Sequence, residues 1–185
     1  MAKLVFKYAS MNAGKTANLI QTAYNFKESN KTVVILTSSL DTRYGKNKVA
    51  SRLGIEADAI PISPGDCLMG SFVYECDVIL VDEAQFLTKS QVKQLAKIVD
   101  ELDTTVICYG LRTDFQGELF EGSQELLALA DKLIQMPSVC NECTETATMN
   151  ARLTNDTDKT VIGGNETYTG MCRSCFVEHL NKNGE

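Results

Sequence analysis

Long hydrophobic runs are missing from this sequence of 185 residues. The start, MAKLVFKYAS, lacks the extended apolar stretch of a secretory leader, and apolar runs such as VILV at 78–81 are far too short to cross a bilayer. Those absences point to a cytoplasmic protein with no membrane partner. Positive charge is also scarce. Against 24 Asp and Glu there are 18 Lys and Arg, a formal net charge of −6, and no basic run. That balance argues against tight, unspecific binding along a nucleic-acid backbone. Internal repeats and low-complexity tracts are absent as well. A single histidine, His179, is expected to lie exposed on a terminal helix. Seven cysteines in a reducing compartment should be thiols or metal ligands rather than disulfides. The Asn-x-Ser/Thr triplets that begin at Asn30, Asn155 and Asn165 are then accidents of composition.

What is present divides unevenly. With 44% hydrophobic residues the chain can build one ordinary core and a small appended module. Over 1–137, short β-branched runs alternate with amphipathic stretches. Segments 3–8, 32–37, 77–82, 104–110 and 131–136 read as buried strands of a parallel sheet. Segments 16–29, 89–102 and 123–130 carry apolar residues at helical spacing. Strands alternating with helices imply an α/β fold. Residues 38–76 give no clear period, apart from a short strand near 55–62. From residue 138 to 185 the texture changes to paired cysteines around a polar insert, which marks a second, smaller unit.

The stretch ASMNAGKT, Ala9 to Thr16, follows the first strand and opens the first helix, as a phosphate-binding loop does. Ala9, Ser10, Met11, Asn12, Ala13 and Gly14 would form the cradle. Lys15 reaches the β- and γ-phosphates, and the Thr16 hydroxyl can bind Mg²⁺. Ala9 stands where a glycine is usual, which costs little if its φ is negative. A second element, VILVDEAQF, ends an apolar strand in Asp82 and Glu83. An acid at that place holds Mg²⁺ in nucleotide-hydrolysing P-loop proteins. The neighbouring Glu83 could accept a proton from water, as in an ATPase, or from a substrate hydroxyl, as in a kinase; spacing does not choose between them.

Cys140-x₂-Cys143 and Cys172-x₂-Cys175 form two knuckles separated by 28 residues. Four thiolates suit a structural, tetrahedral Zn²⁺ with no open catalytic position. Closing such a loop costs about 3 kcal/mol plus a constant, and a structural zinc supplies roughly 10–16 kcal/mol. Cys67, Cys76 and Cys108 lack paired spacing and are expected to be packing residues.

Taken together, MNAGKT (11–16), DTRYG (41–45), VDEAQF (81–86), YGLRTDFQGELF (109–120), the cysteine pairs and VIGGNETY (161–168) resemble the zinc-containing thymidine kinases of bacteria and the animal cytosol, with the bacterial branch the nearer. The resemblance covers about residues 3 to 177. It implies a P-loop NTPase-like parallel sheet flanked by helices, with a small C-terminal zinc-binding lasso that covers the nucleoside. It also implies transfer of the γ-phosphoryl group of ATP to the 5′-hydroxyl of thymidine or deoxyuridine, with Mg²⁺ and a structural Zn²⁺. Glu83 would then be the base, Lys15 and Arg43 the cations at the phosphates, and Thr16 and Asp82 the Mg²⁺ ligands. Met11, Asp41, Phe86, Leu111, Phe115, Phe120, Ile162, Gly163, Gly164 and Tyr168 would contact the nucleoside. A homotetramer is implied too. The different-class alternative is a zinc-ribbon P-loop ATPase acting on nucleic acid.

Overall fold

Side chains along the central strands point alternately to two apolar faces, and that alternation builds the fold. The computed structural model describes residues 1–41, 45, 47–154, 163–164 and 166–183. In chain order its first elements are β1 (Leu4–Tyr8), α1 (Lys15–Glu28), β2 (Val33–Ser38), β3 (Lys48–Ala50), β4 (Glu56–Asp58), β5 (Ile60–Ile62) and β6 (Val78–Asp82). There follow α2 (Lys89–Leu102), β7 (Thr105–Gly110), α3 (Glu121–Leu129), β8 (Lys132–Gln135), β9 (Met149–Arg152), β10 (Tyr168–Met171) and α4 (Arg173–Asn183). Six strands form one parallel sheet in the order β5-β2-β6-β7-β1-β8.

Leu4 and Phe6, Ile79 and Val81, and Val106 and Cys108 face one core, closed by Leu95 and Ile98 of α2 and Leu126 of α3. Val5, Val78, Leu80, Ile107 and Tyr109 face the other, closed by Leu19 and Ala23 of α1. A third, small core gathers Cys140, Ala147, Ala151, Met171 and Phe176 around the cysteine knuckles.

The predicted strands and helices correspond to β1, β2, β6, β7, β8 and α1 to α3, with ends shifted by one or two residues. Four expectations are corrected. Segment 131–136 is no buried strand: all four residues of β8 are exposed, because it pairs only with β1 and forms the sheet edge. The segment near 55–62 is two strands; β4 pairs antiparallel with β3, while β5 joins the sheet beside β2. Cys67 is exposed, whereas Cys76 is half-buried and Cys108 buried, with burial pushing the Cys76 thiol up to about 11. His179 is half-buried, and its Nε2 lies 2.9 Å from the Arg152 carbonyl oxygen.

Parallel strands bring their C-terminal ends to one rim, where ligands of open α/β sheets bind. On that rim lie the loop after β1, the Asp82–Glu83 turn after β6 and the 111–120 loop after β7. The turn after β6 is held from behind by α3. A Cβ at Gly122 would stand 2.6 Å from the Ala84 carbonyl oxygen and 2.7 Å from that of Leu87. Both are backbone atoms that cannot swing aside. Gly122→Ala should therefore destabilise the fold by about 1–3 kcal/mol in denaturant unfolding. Unchanged stability would mean that the start of α3 shifts freely.

Candidate active site

The loop after β1 runs back over the sheet rim. Its left-handed residues are Asn12 (φ 65°) and Gly14 (φ 68°); Ala9 is not among the positive-φ residues, so alanine fits there without strain. Ala9 and Ser10 are buried beneath the loop, and the Ala9 amide donates to the Gly110 carbonyl oxygen at 3.3 Å. Gly14 begins α1 without a side-chain cap. The positive end of the α1 dipole at this point favours an anion. Lys15 Nζ folds back to donate to the Ser10 carbonyl oxygen at 2.9 Å. Behind the loop, Lys7 Nζ donates to Asn18 Oδ1 at 3.0 Å and to the Tyr109 hydroxyl at 3.1 Å, while Thr22 Oγ1 lies 3.0 Å from the same hydroxyl. These bonds pin α1 to β1 and β7, and with it Lys15 and Thr16.

Across the sheet, Thr16 Oγ1 donates to Asp82 Oδ2 at 2.9 Å. Asp82 is 4% exposed. Burial first, then the charge of Glu83, pushes its carboxyl well above the usual carboxylate range, against the pull of the Thr16 hydroxyl and Lys15. Glu83 follows in a left-handed conformation at φ 52°, uncommon outside glycine and asparagine. Its Oε2 accepts from Gln85 Nε2 at 2.5 Å, and Gln85 Oε1 accepts in turn from the Leu111 amide at 3.1 Å. A buried glutamine thus fixes the carboxylate and joins the β6 turn to the 111–120 loop.

A cavity of ≈ 740 Å³ opens over these groups. It is lined by Met11, Asn12, Ala13, Gly14, Lys15 and Thr16, by Asp41, and by Asp82 and Glu83. On its far side stands the β3–β4 hairpin, of which the sequence pattern missed β3 and the pairing. Its strands are only three residues long, too short for alternation to register. From it, Arg52 Nη1 donates to Asn12 Oδ1 at 2.7 Å, placing a second cation at the loop.

The other predicted nucleoside residues that the structure describes lie outside that lining. Phe86 and Phe120 pack edge to face with ring centroids 5.9 Å apart. Phe115 and Tyr168 are joined by Arg152, a buried cation that sequence reasoning passed over: its guanidinium lies 3.5 Å from the Phe115 ring centroid, and its Nη2 donates to the Tyr168 hydroxyl at 2.9 Å. Leu111 is held through its carbonyl oxygen by Ser123 Oγ at 2.5 Å. A side chain at Gly163 would overlap that of Thr167, and the Gly164 amide donates to Glu166 Oε1 at 2.6 Å. Arg43 and Ile162 lie outside the described residues.

The sulfurs of Cys140, Cys143, Cys172 and Cys175 lie within 4.8 Å of one another, and Cys143 Sγ is 3.8 Å from both Cys172 Sγ and Cys175 Sγ. Sulfurs about 2.3 Å from a tetrahedral centre sit roughly 3.8 Å apart, so the set fits a zinc ion far better than a disulfide. A hydrogen bond with the Cys172 side chain, then burial, raises the Cys175 thiol.

A family model described as thymidine kinase matches residues 2–176. A thymidine kinase of Shewanella oneidensis is 48% identical over 191 residues, covering 97% of this chain and 99% of its own. That of Zymomonas mobilis is 48% identical over 193 residues, covering 98% and 99%. That of Streptococcus pyogenes serotype M3 is 46% identical over 185 residues, covering 95% and 97%.

The buried acid gives a pH signature. A carboxyl raised in the fold binds its proton more readily there than in the unfolded chain. Its contribution to stability is full below about pH 4 and is lost as pH rises toward the folded value. In buffer without divalent cations, Asp82→Asn should flatten that decline in unfolding free energy; with Mg²⁺ present, it should cut turnover roughly 100-fold or more. An unaltered pH profile would show that Asp82 titrates normally.

Proposed function

The chain belongs to the thymidine kinase family and phosphorylates thymidine, and from that premise we propose that ATP is its donor and Glu83 its base. The observation that carries this is the gathering of Lys15, Thr16, Asp82 and Glu83 around one cavity. The triphosphate would lie along the loop from Met11 to Thr16, against the N-terminus of α1. The thymidine 5′-hydroxyl would give its proton to Glu83 as its oxygen bonds to the γ-phosphorus. The bond from that phosphorus to the bridging oxygen breaks, and ADP leaves. Lys15 would hold the charge of the transferring group, so that catalysis is mostly positioning and electrostatics.

Thr16 Oγ1 and Asp82 Oδ2 are hard oxygen donors in contact, which suits Mg²⁺. Bound there, the ion would neutralise charge on the phosphoryl oxygens. Arg43 is our proposed further cation at the phosphates, and Asp41, on the cavity wall, a contact to the sugar. The nucleoside base would lie among Met11, Phe86, Leu111, Phe115, Phe120, Ile162 and Tyr168. Gly163 and Gly164 would bring main chain close to it.

We assign Zn²⁺ to the four cysteines and treat residues 138–185 as the lasso unit, distinct from the nucleotide-binding unit of 1–137. Assembly as a homotetramer, supported by Leu133 and Ile134 exposed on the edge strand β8, and a cytoplasmic location, supported by cysteines that form no disulfide, complete the proposal.

Release of ADP across a panel of nucleosides tests it. Thymidine should accelerate release strongly, with thymidine monophosphate formed in step. Stimulation by single-stranded DNA and not by thymidine would favour the ATPase alternative. Glu83→Gln should lower kcat by about 10²–10⁴ while ATP still binds; near-normal turnover would remove Glu83 as the base. Chelation of the metal, followed by zinc content and thermal unfolding, should lower the melting temperature and weaken both ligands, since the cysteine unit rests on the phosphate loop. A melting temperature indifferent to zinc removal would contradict the structural role.

A further inference from the structure

Residue 150 lies in β9, on the lasso side of the molecule, yet its side chain reaches the phosphate loop. Asn150 is 3% exposed. Its Oδ1 accepts from the Met11 amide at 2.8 Å, and its Nδ2 donates to the Thr113 carbonyl oxygen at 3.0 Å. A donor at one end and an acceptor at the other leave only one orientation of the amide. One side chain therefore ties together the loop after β1, the 111–120 loop and the cysteine unit.

The surroundings make this contact tight. Ser10 Oγ donates to Ser138 Oγ at 3.0 Å. Gly170, paired with Asn150 across the β9–β10 ladder, has little room for a Cβ, which would stand 3.0 Å from Ser10 Oγ and 3.3 Å from the Met11 carbonyl oxygen. Amides of such a loop ordinarily point at phosphate; here the Met11 amide is engaged by the lasso side. Two residues further along β9, on the same face of the strand, Arg152 packs on Phe115 and bonds Tyr168.

We propose that Asn150 is a positioning residue that couples nucleoside binding to the conformation of the phosphate loop. Thymidine held among Phe115 and Tyr168 sets Arg152, and with it β9. Asn150 then carries that setting to the Met11 amide and so to the loop that holds ATP. The inference rests on the donor and acceptor sites assigned above.

The test is binding of a non-hydrolysable ATP analogue, with and without saturating thymidine, by the zinc-loaded protein. In the wild type, thymidine should tighten analogue binding roughly ten-fold, within the usual range of coupling between sites. Asn150→Asp keeps an acceptor for Met11 but turns a carboxylate on the Thr113 carbonyl; Asn150→Leu removes both bonds at similar volume. Each should bring the ratio close to one, lower kcat more than it raises the KM for ATP, and keep full zinc content. A wild-type ratio near one, or zinc-loaded variants that keep the wild-type ratio, overturns the proposal. If Asn150→Leu does not fold, Asn150→Asp decides alone; if neither variant loads zinc, Ser138→Ala, which cuts the neighbouring link, must lower the ratio or the proposal falls. A wild type that binds neither ligand would instead sink the assignment of the sites.

Discussion

The 2.9 Å hydrogen bond from Thr16 to Asp82 joins the two halves of the chemistry. One partner opens the helix after β1 and the other closes β6, and β7 lies between those strands in the sheet. The bond exists because the strands are parallel and end at one rim, so that segments 66 residues apart reach the same place. It also sets a carboxylate in a site that disfavours its charge, as the raised pKa of Asp82 records. The Mg²⁺ proposed between Thr16 and Asp82 would offset that cost.

Glu83 carries a second local cost. Its backbone sits in the left-handed region, and its side chain is turned by Gln85, a residue buried to 2% exposure. Gly110 and Gly122 leave space for that turn: a Cβ at Gly110 would stand 2.8 Å from Gln85 Oε1. The strained residue, the glutamine and the two glycines form one device that aims a carboxylate into the cavity. It explains why a short turn after an apolar strand is packed from both sides.

Much of this was legible in the sequence, for identifiable reasons. The central strands β1, β2, β6 and β7 are mostly apolar because both faces are covered, and α2 shows a clean inward stripe through Val92, Leu95 and Ile98. The phosphate loop, the Asp82–Glu83 pair and the cysteine knuckles are local in sequence, so spacing reveals them. What stayed hidden depends on contacts between distant segments. Asn150 and Arg152 sit in a four-residue strand with no motif of their own, and their roles arise from meeting Met11, Thr113, Phe115 and Tyr168. The β3–β4 hairpin that brings Arg52 to the loop is too short to show a period. β8 read as buried because it carries Leu133 and Ile134 after a helical segment, although an edge strand has only one neighbour. The cysteine cluster was predicted as a cover for the nucleoside. What the fold shows is that the unit carrying these cysteines braces the phosphate loop through Ser138, Asn150 and Gly170.

The central claim is that one cavity holds both the phosphates beside Lys15 and the reacting hydroxyl beside Glu83. A crystal structure with adenosine and thymidine joined through a polyphosphate chain tests it most directly. The account predicts phosphate oxygens against Lys15 and the amides that open α1, with the thymidine 5′-oxygen within hydrogen-bond reach of the Glu83 carboxylate. A thymidine end bound away from Glu83, with the phosphates still on the loop, would contradict it.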